Sequence, residues 1–102
     1  MKSLLIALLF STSVYANCQR EVQFIGTVKN VTYVQNEAGQ IESTRFQVKA
    51  GRWFQPSGVC PMEMDEFEAA VIELAGEVDM HAGAEISGIM VYDVNNDSYY
   101  ID

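Results

Sequence analysis

The sequence predicts a small, mainly β domain with one helix and one disulfide. Three observations predict it: long runs of alternating polar and apolar residues in the first half, an acidic amphipathic stretch behind Pro61, and a cysteine pair, Cys18 and Cys60. A chain of 102 residues supports one modest core. Residues 17–102 are read as that one domain, and residues 1–16 as a leader.

The first strand is expected from about Arg20 to Val34. Val22, Phe24 and Val28 share one face with Gly26 between them; the alternation then changes phase, and Val31 and Tyr33 fall on the other parity. Such a slip marks a bulge or bend, which a glycine eases. Asn36-Glu37-Ala38-Gly39 reads as a turn. The returning strand, Ile41 to Ala50, sets Thr44, Phe46, Val48 and Ala50 against Ser43, Arg45, Gln47 and Lys49. A short third strand over Arg52 to Gln55 is the next expectation.

Beyond Cys60 the pattern becomes helical. Pro61 suits a first helical position, Glu63, Asp65 and Glu66 suit the positive end of a helix dipole, and Gly76 suits a stop. Met64, Phe67, Val71 and Leu74 recur at helical spacing as one apolar stripe. The competing reading makes Ala69 to Ala75 a strand, because Val71-Ile72-Glu73-Leu74 also alternates. Glu85 to Val94 and Ser98 to Asp102 read as a closing hairpin, with Asn95-Asn96 taking the positive backbone angles of its turn.

The leader, Met1 to Ala16, has a basic start at Lys2, an apolar run from Leu4 to Phe10, and a polar stretch closing on Val14-Tyr15-Ala16. Those are the parts of an export signal, with cleavage expected after Ala16. The run falls short of the roughly 20 residues that span a bilayer as a helix. No stable membrane insertion is expected, and the compartment is periplasmic or secreted. A lipid anchor on Cys18 fits poorly, because Asn17 stands where a small residue is wanted. An exported chain with two cysteines and no C-x-x-C motif favours a Cys18–Cys60 disulfide over a metal site or a redox thiol.

Charge narrows the partners. The chain carries 6 basic and 14 acidic residues, a net charge of -8, and beyond Cys60 every charged group from Glu63 to Asp102 is a carboxylate. Phosphates would meet a repelling field, so no nucleic-acid partner is expected. The lone histidine, His81, lies in a loop, and no serine stands in a nucleophile elbow, so the sequence points away from enzyme chemistry and requires no cofactor. Asp93, Asn95 and Asp97 follow the start of a calcium loop, but Ser98 replaces its glycine and the chain ends before the closing glutamate.

The order of elements, with Gly26 in a long bent first strand and Ala82-Gly83-Ala84-Glu85-Ile86-Ser87-Gly88 leading into the fourth, resembles a small OB-type five-stranded barrel, β-β-(β)-α-β-β. The resemblance implies a first strand paired with both halves of the barrel, a helix before the last hairpin, and binding across strands two and three. Trp53 and Phe54 with Arg45, Lys49 and Arg52 are the expected surface, for an unknown protein or small ligand. A second resemblance is to the periplasmic copper and silver chaperones of efflux systems. It implies a soft monovalent ion held by Met62, Met64 and His81 near Trp53, thioethers being selective for such ions. Against it, a helix beginning at Pro61 would turn Met62 and Met64 about 200° apart. In that case Met64 is core and Met62 packs at the surface or against the disulfide. A structural role in envelope maintenance is the third expectation.

Overall fold

The computed structural model describes residues 18–102. The leader and its cleavage point after Ala16 lie outside them. Five strands and one helix follow in order: β1 (Glu21–Gln35), β2 (Ile41–Pro56), α1 (Met64–Ala69), β3 (Ile72–Ala75), β4 (Glu85–Asp93) and β5 (Ser98–Ile101). The strands close into a ring in the order β1-β2-β3-β5-β4. Neighbours are antiparallel except β3 and β5, which meet in parallel at Ile72 and Tyr99. The fold is therefore mainly β with one helix, five-stranded and stapled by one disulfide, as the sequence predicts, and its layout is OB-like.

Strand β1 pairs along its whole length with β2 but only over its first half with β4. Its first half joins β2 on one side and β4 on the other, from Glu21↔Val91 to Thr27↔Glu85. Register slips between Ile25 and Gly26, where Gly51 and Arg52 are extra on β2, and between Lys29 and Thr32, where β1 itself bulges. The second slip is the phase change seen in the alternation. It is carried by Asn30 at φ 54°, not by Gly26. Gly26 matters instead for the spacing of the strands. A Cβ there would stand 2.5 Å from the Lys49 carbonyl oxygen, so only glycine lets β1 and β2 approach this closely.

Two expectations need correction. Arg52–Gln55 is no separate third strand, since β2 runs on through it to Pro56. The helix has only six residues, and the third strand follows it, giving β-β-α-β-β-β with the helix ahead of β3 rather than before the last hairpin. Ala70 leaves helical geometry at ψ 134°, and the chain extends so that Ile72 is buried while Glu73 turns outward. The ladder to β2, from Ser43↔Ala75 to Phe46↔Ile72, supplies hydrogen bonds that outweigh the helical spacing of the stripe. Met64 and Val71 consequently lie exposed. Pro61 precedes the helix instead of opening it, bridging to Glu21 in parallel. In the closing turn the positive φ falls on Asp97, not on Asn95 or Asn96, while Asp93 Oδ1 accepts from the Asn95 amide.

The core is gathered from every side of the ring: Val22, Phe24 and Val28, Phe46 and Val48, Met62, Phe67, Ile72 and Met90. Phe67 of the helix plugs one end, edge-on to Phe24 at 4.9 Å and to Phe54 at 5.2 Å between centroids. Thr44 is wholly buried and satisfied: its hydroxyl donates to the Gly76 carbonyl and accepts from the Val78 amide, both at 2.9 Å. Cys18 and Cys60 form the expected disulfide, with Cα atoms 6.0 Å apart. The Glu21 amide donates to the Cys60 carbonyl beside it at 3.0 Å, so the start of β1 is tied to the approach to the helix.

A loop of 42 residues closed by a disulfide restricts the unfolded chain by about 4 kcal/mol. Chemical denaturation with and without reductant is expected to show a loss of that order. Met62 is fully buried and Met64 is not, the reverse of the packing expected from a helix begun at Pro61. Met62→Ala should therefore cost about 2–5 kcal/mol, and Met64→Ala less than about 0.5 kcal/mol, in the same denaturation assay.

Candidate functional site

A groove of about 750 Å³ opens where β3 and β5 touch at only one residue pair. Arg45 of β2 and Glu73 of β3 stand on one wall, Ala69 to Val71 form the helix exit, and Asp97 to Tyr100 form the other wall. Val71 and Tyr100, two of the large apolar side chains left in solvent, both face it. Tyr99 and Tyr100 show how a strand divides its labour. Tyr99 turns toward the core and Tyr100 outward, as successive strand residues must.

Beneath the groove lies a polar lock. The Arg20 guanidinium donates from Nε and Nη2 to the Glu66 carboxylate at 2.8–3.0 Å, and the Tyr99 hydroxyl donates to Glu66 Oε2 at 2.7 Å. Arg20 also lies over the Tyr92 ring, 4.4 Å from its centroid, and Tyr92 packs against Tyr99 at 5.1 Å. The Tyr92 hydroxyl donates to Asp97, which ties in the β4–β5 turn. Three sequence-distant pieces, the start of β1, the helix and β5, thus meet on one carboxylate.

The titration behaviour follows from that geometry. Burial pushes the Glu66 carboxyl up, but donors from Arg20 and Tyr99 outweigh it and hold it below the ordinary carboxylate range. Burial, then the hydrogen bond to Glu66, pushes the Tyr99 phenol up to about 12. The hydrogen bond to Asp97 raises the Tyr92 phenol, and the one to Glu66 raises the Arg20 guanidinium. At the centre of the lock the Arg20–Glu66 ion pair stands against two phenols that stay neutral at neutral pH.

Sequence-expected residues are scattered by the fold. Trp53 is on the outer face of β2, 47% exposed, whereas Phe54 points inward onto Phe67, as alternation along a strand requires. Arg45 lines the groove but is spent on Glu73, Nε to Oε2 at 2.7 Å, with Ser43 donating to the same oxygen at 2.9 Å. Arg52 pairs with Glu85 at 3.1 Å. Lys49 is exposed and has no ion pair among the described residues. The expected basic face is thus largely neutralised.

Nor are the soft-metal candidates brought together. Met62 is sealed in the core, with its amide donating to Glu21, while the loop of His81 is held at Val28 through Gly83 and Ala84. Glu21 and Val28 are about 23 Å apart along β1 at the usual rise per residue. His81 itself is exposed beside Asp79, Nε2 to Oδ1 at 3.3 Å.

Comparison with protein-family models, with curated proteins and with solved structures yields no match. The groove is the candidate site. Its residues Glu66, Val71, Asp97, Tyr99 and Tyr100 do not stand out as a site in the sequence. The one signal for them is the extended alternative for Val71 to Leu74, which places Val71 and Glu73 on an outer face.

The sign of the pH dependence is fixed by Glu66. A depressed folded pKa means that its contribution to stability is complete above the ordinary carboxylate range and is lost as pH falls through the folded value. Thermal midpoints measured from neutral to acid pH are expected to fall, and Glu66→Gln should lower the neutral midpoint and flatten that fall. Tyr99→Phe should cost about 1.5–3 kcal/mol, the usual range for a hydrogen bond to a charged group.

Proposed function

We propose that this chain is a non-enzymatic binding module of an exported, oxidising compartment, built on an OB-like barrel, and that the β2–β3–β5 groove is its ligand site. The observation that carries the reading is the exposure of Val71 and Tyr100 in one open groove, flanked by the Arg45–Glu73 pair and Asp97. Apolar side chains left in solvent beside fixed polar groups are what a partner's anchor residue requires. The disulfide and the export-type leader support the compartment. Pairing of β1 with both β2 and β4 supports the OB-like relationship, and binding across strands two and three in such barrels supports the position of the site.

The partner's chemistry follows from the charges. Of the ionised side chains lining the groove, Glu66, Glu73 and Asp97 are acidic and Arg45 alone is basic, so a protein segment with one apolar anchor and one cationic side chain fits. The lock beneath holds the walls in place before binding, which limits the ordering cost. A photo-crosslinking residue at position 100, used in the exported compartment, should give an adduct of defined size that Val71→Asp abolishes. The same residue at exposed position 37 should not give it. Equal labelling at both positions would remove the groove as the site. Once the partner is known, Tyr100→Ala should weaken binding by about 1.4 kcal/mol, tenfold in Kd, while shifting stability by less than about 0.5 kcal/mol.

A further inference from the structure

The outer face of β2, β1 and β4 carries a second surface, away from the groove. Cross-strand register aligns two rows there: Trp53, Ile25 and Ser87, then Gln55, Gln23 and Ile89. Two shallow depressions of about 420 and 250 Å³ run along these rows and share Gln23. Trp53 is half-exposed at one of them, and its place next to Ile25 is fixed by the strand pairing.

The chemistry of this face is unusual for so acidic a chain. Gln23, Gln55 and Ser87 are neutral, exposed, and make no side-chain hydrogen bond among the described residues. Of the nearest charges, Arg52 and Glu85 neutralise each other, and the Glu21 carboxylate, at the rim of the smaller depression, is placed to accept from a hydroxyl. An open indole face attracts polarised C–H groups, because its π-cloud is negative above the ring. A glutamine amide offers a donor and an acceptor side by side, and a serine hydroxyl offers both in one atom. Each sugar hydroxyl both donates and accepts and so matches that combination at any rotation, whereas a peptide backbone fixes its donors and acceptors at separate atoms and an ion needs only one half of it.

We infer that the β2–β1–β4 face binds a neutral saccharide, with one pyranose ring stacked on Trp53 and its hydroxyls held by Gln23, Gln55 and Ser87. The site is independent of the proposed groove, and either can fail without the other. Strands fix every backbone position, so the ordering that opposes binding is confined to the side chains, chiefly those of Gln23 and Gln55. A neutral ligand forms no ion pair for salt to screen, so the interaction is indifferent to salt.

The chain's one tryptophan is the reporter. Trp53 fluorescence is to be followed while the full exported chain is titrated with chitotetraose, cellotetraose and maltotetraose to about 10 mM, a range that covers weak sugar affinities. A proline decapeptide serves as the competing macromolecular class. The expected result is a saturable blue shift with at least one saccharide, unchanged in about 1 M salt, where charges are screened beyond about 3 Å. The shift should weaken at least tenfold in the Gln23→Ala/Gln55→Ala double variant, whose substitutions lie on exposed strand positions and leave the reporter in place. Tyr100→Ala should leave it intact. No shift with any saccharide, a shift with the proline peptide alone, or a shift that survives the double variant would each overturn the assignment.

Discussion

Ile72 and Tyr99 meet in parallel, and that meeting turns an open sheet into a ring. A single residue pair is too small a seam to hold two four-residue strands together. What secures it is the carboxylate of Glu66, which receives Tyr99 from β5 and Arg20 from the start of β1. The helix exists to deliver that carboxylate and Phe67. Its six residues are too few to be stable alone, and they are held by what they carry into the ring. The groove opens beside the seam because the two strands diverge from it.

The charge asymmetry along the chain acquires a structural meaning in this frame. Arg20, Arg45 and Arg52, all ahead of Cys60, meet Glu66, Glu73 and Glu85, all beyond it. Each pair joins the early hairpin to a later element. The exposed two contribute little energy individually, but they favour one docking of the acidic half on the basic half over others. The Arg20–Glu66 pair differs because it is partly withdrawn from water and shared with a phenol.

Alternation makes β1 and β2 readable, a continuous apolar run with the Asn95-Asn96 turn signal makes the last hairpin readable, and export logic makes the disulfide readable. Those signals are local or compositional. The helix is only half legible, because Met64, Phe67, Val71 and Leu74 satisfy a helical period as well as two different elements do. What decides between them is the ladder offered by Ser43 to Phe46, a partner far away in sequence. The burial of Met62 instead of Met64 follows from the same displacement of the helix start. The groove is illegible for a related reason: Val71 and Tyr100 become neighbours only when the ring closes, and nothing in either local sequence announces the other.

Strand β1 is the first element among the described residues, and its first half is flanked by β2 on one edge and by β4, which comes much later in sequence, on the other. Its second edge, Glu21 to Thr27, stays bare until residues 85–91 arrive. A nascent or truncated chain therefore presents a half-finished hairpin with an apolar inner face and an unpaired edge, the kind of template on which identical chains stack. The late closing hairpin acts as the molecule's guard against self-association, and the order in which the chain emerges sets how long that guard is missing.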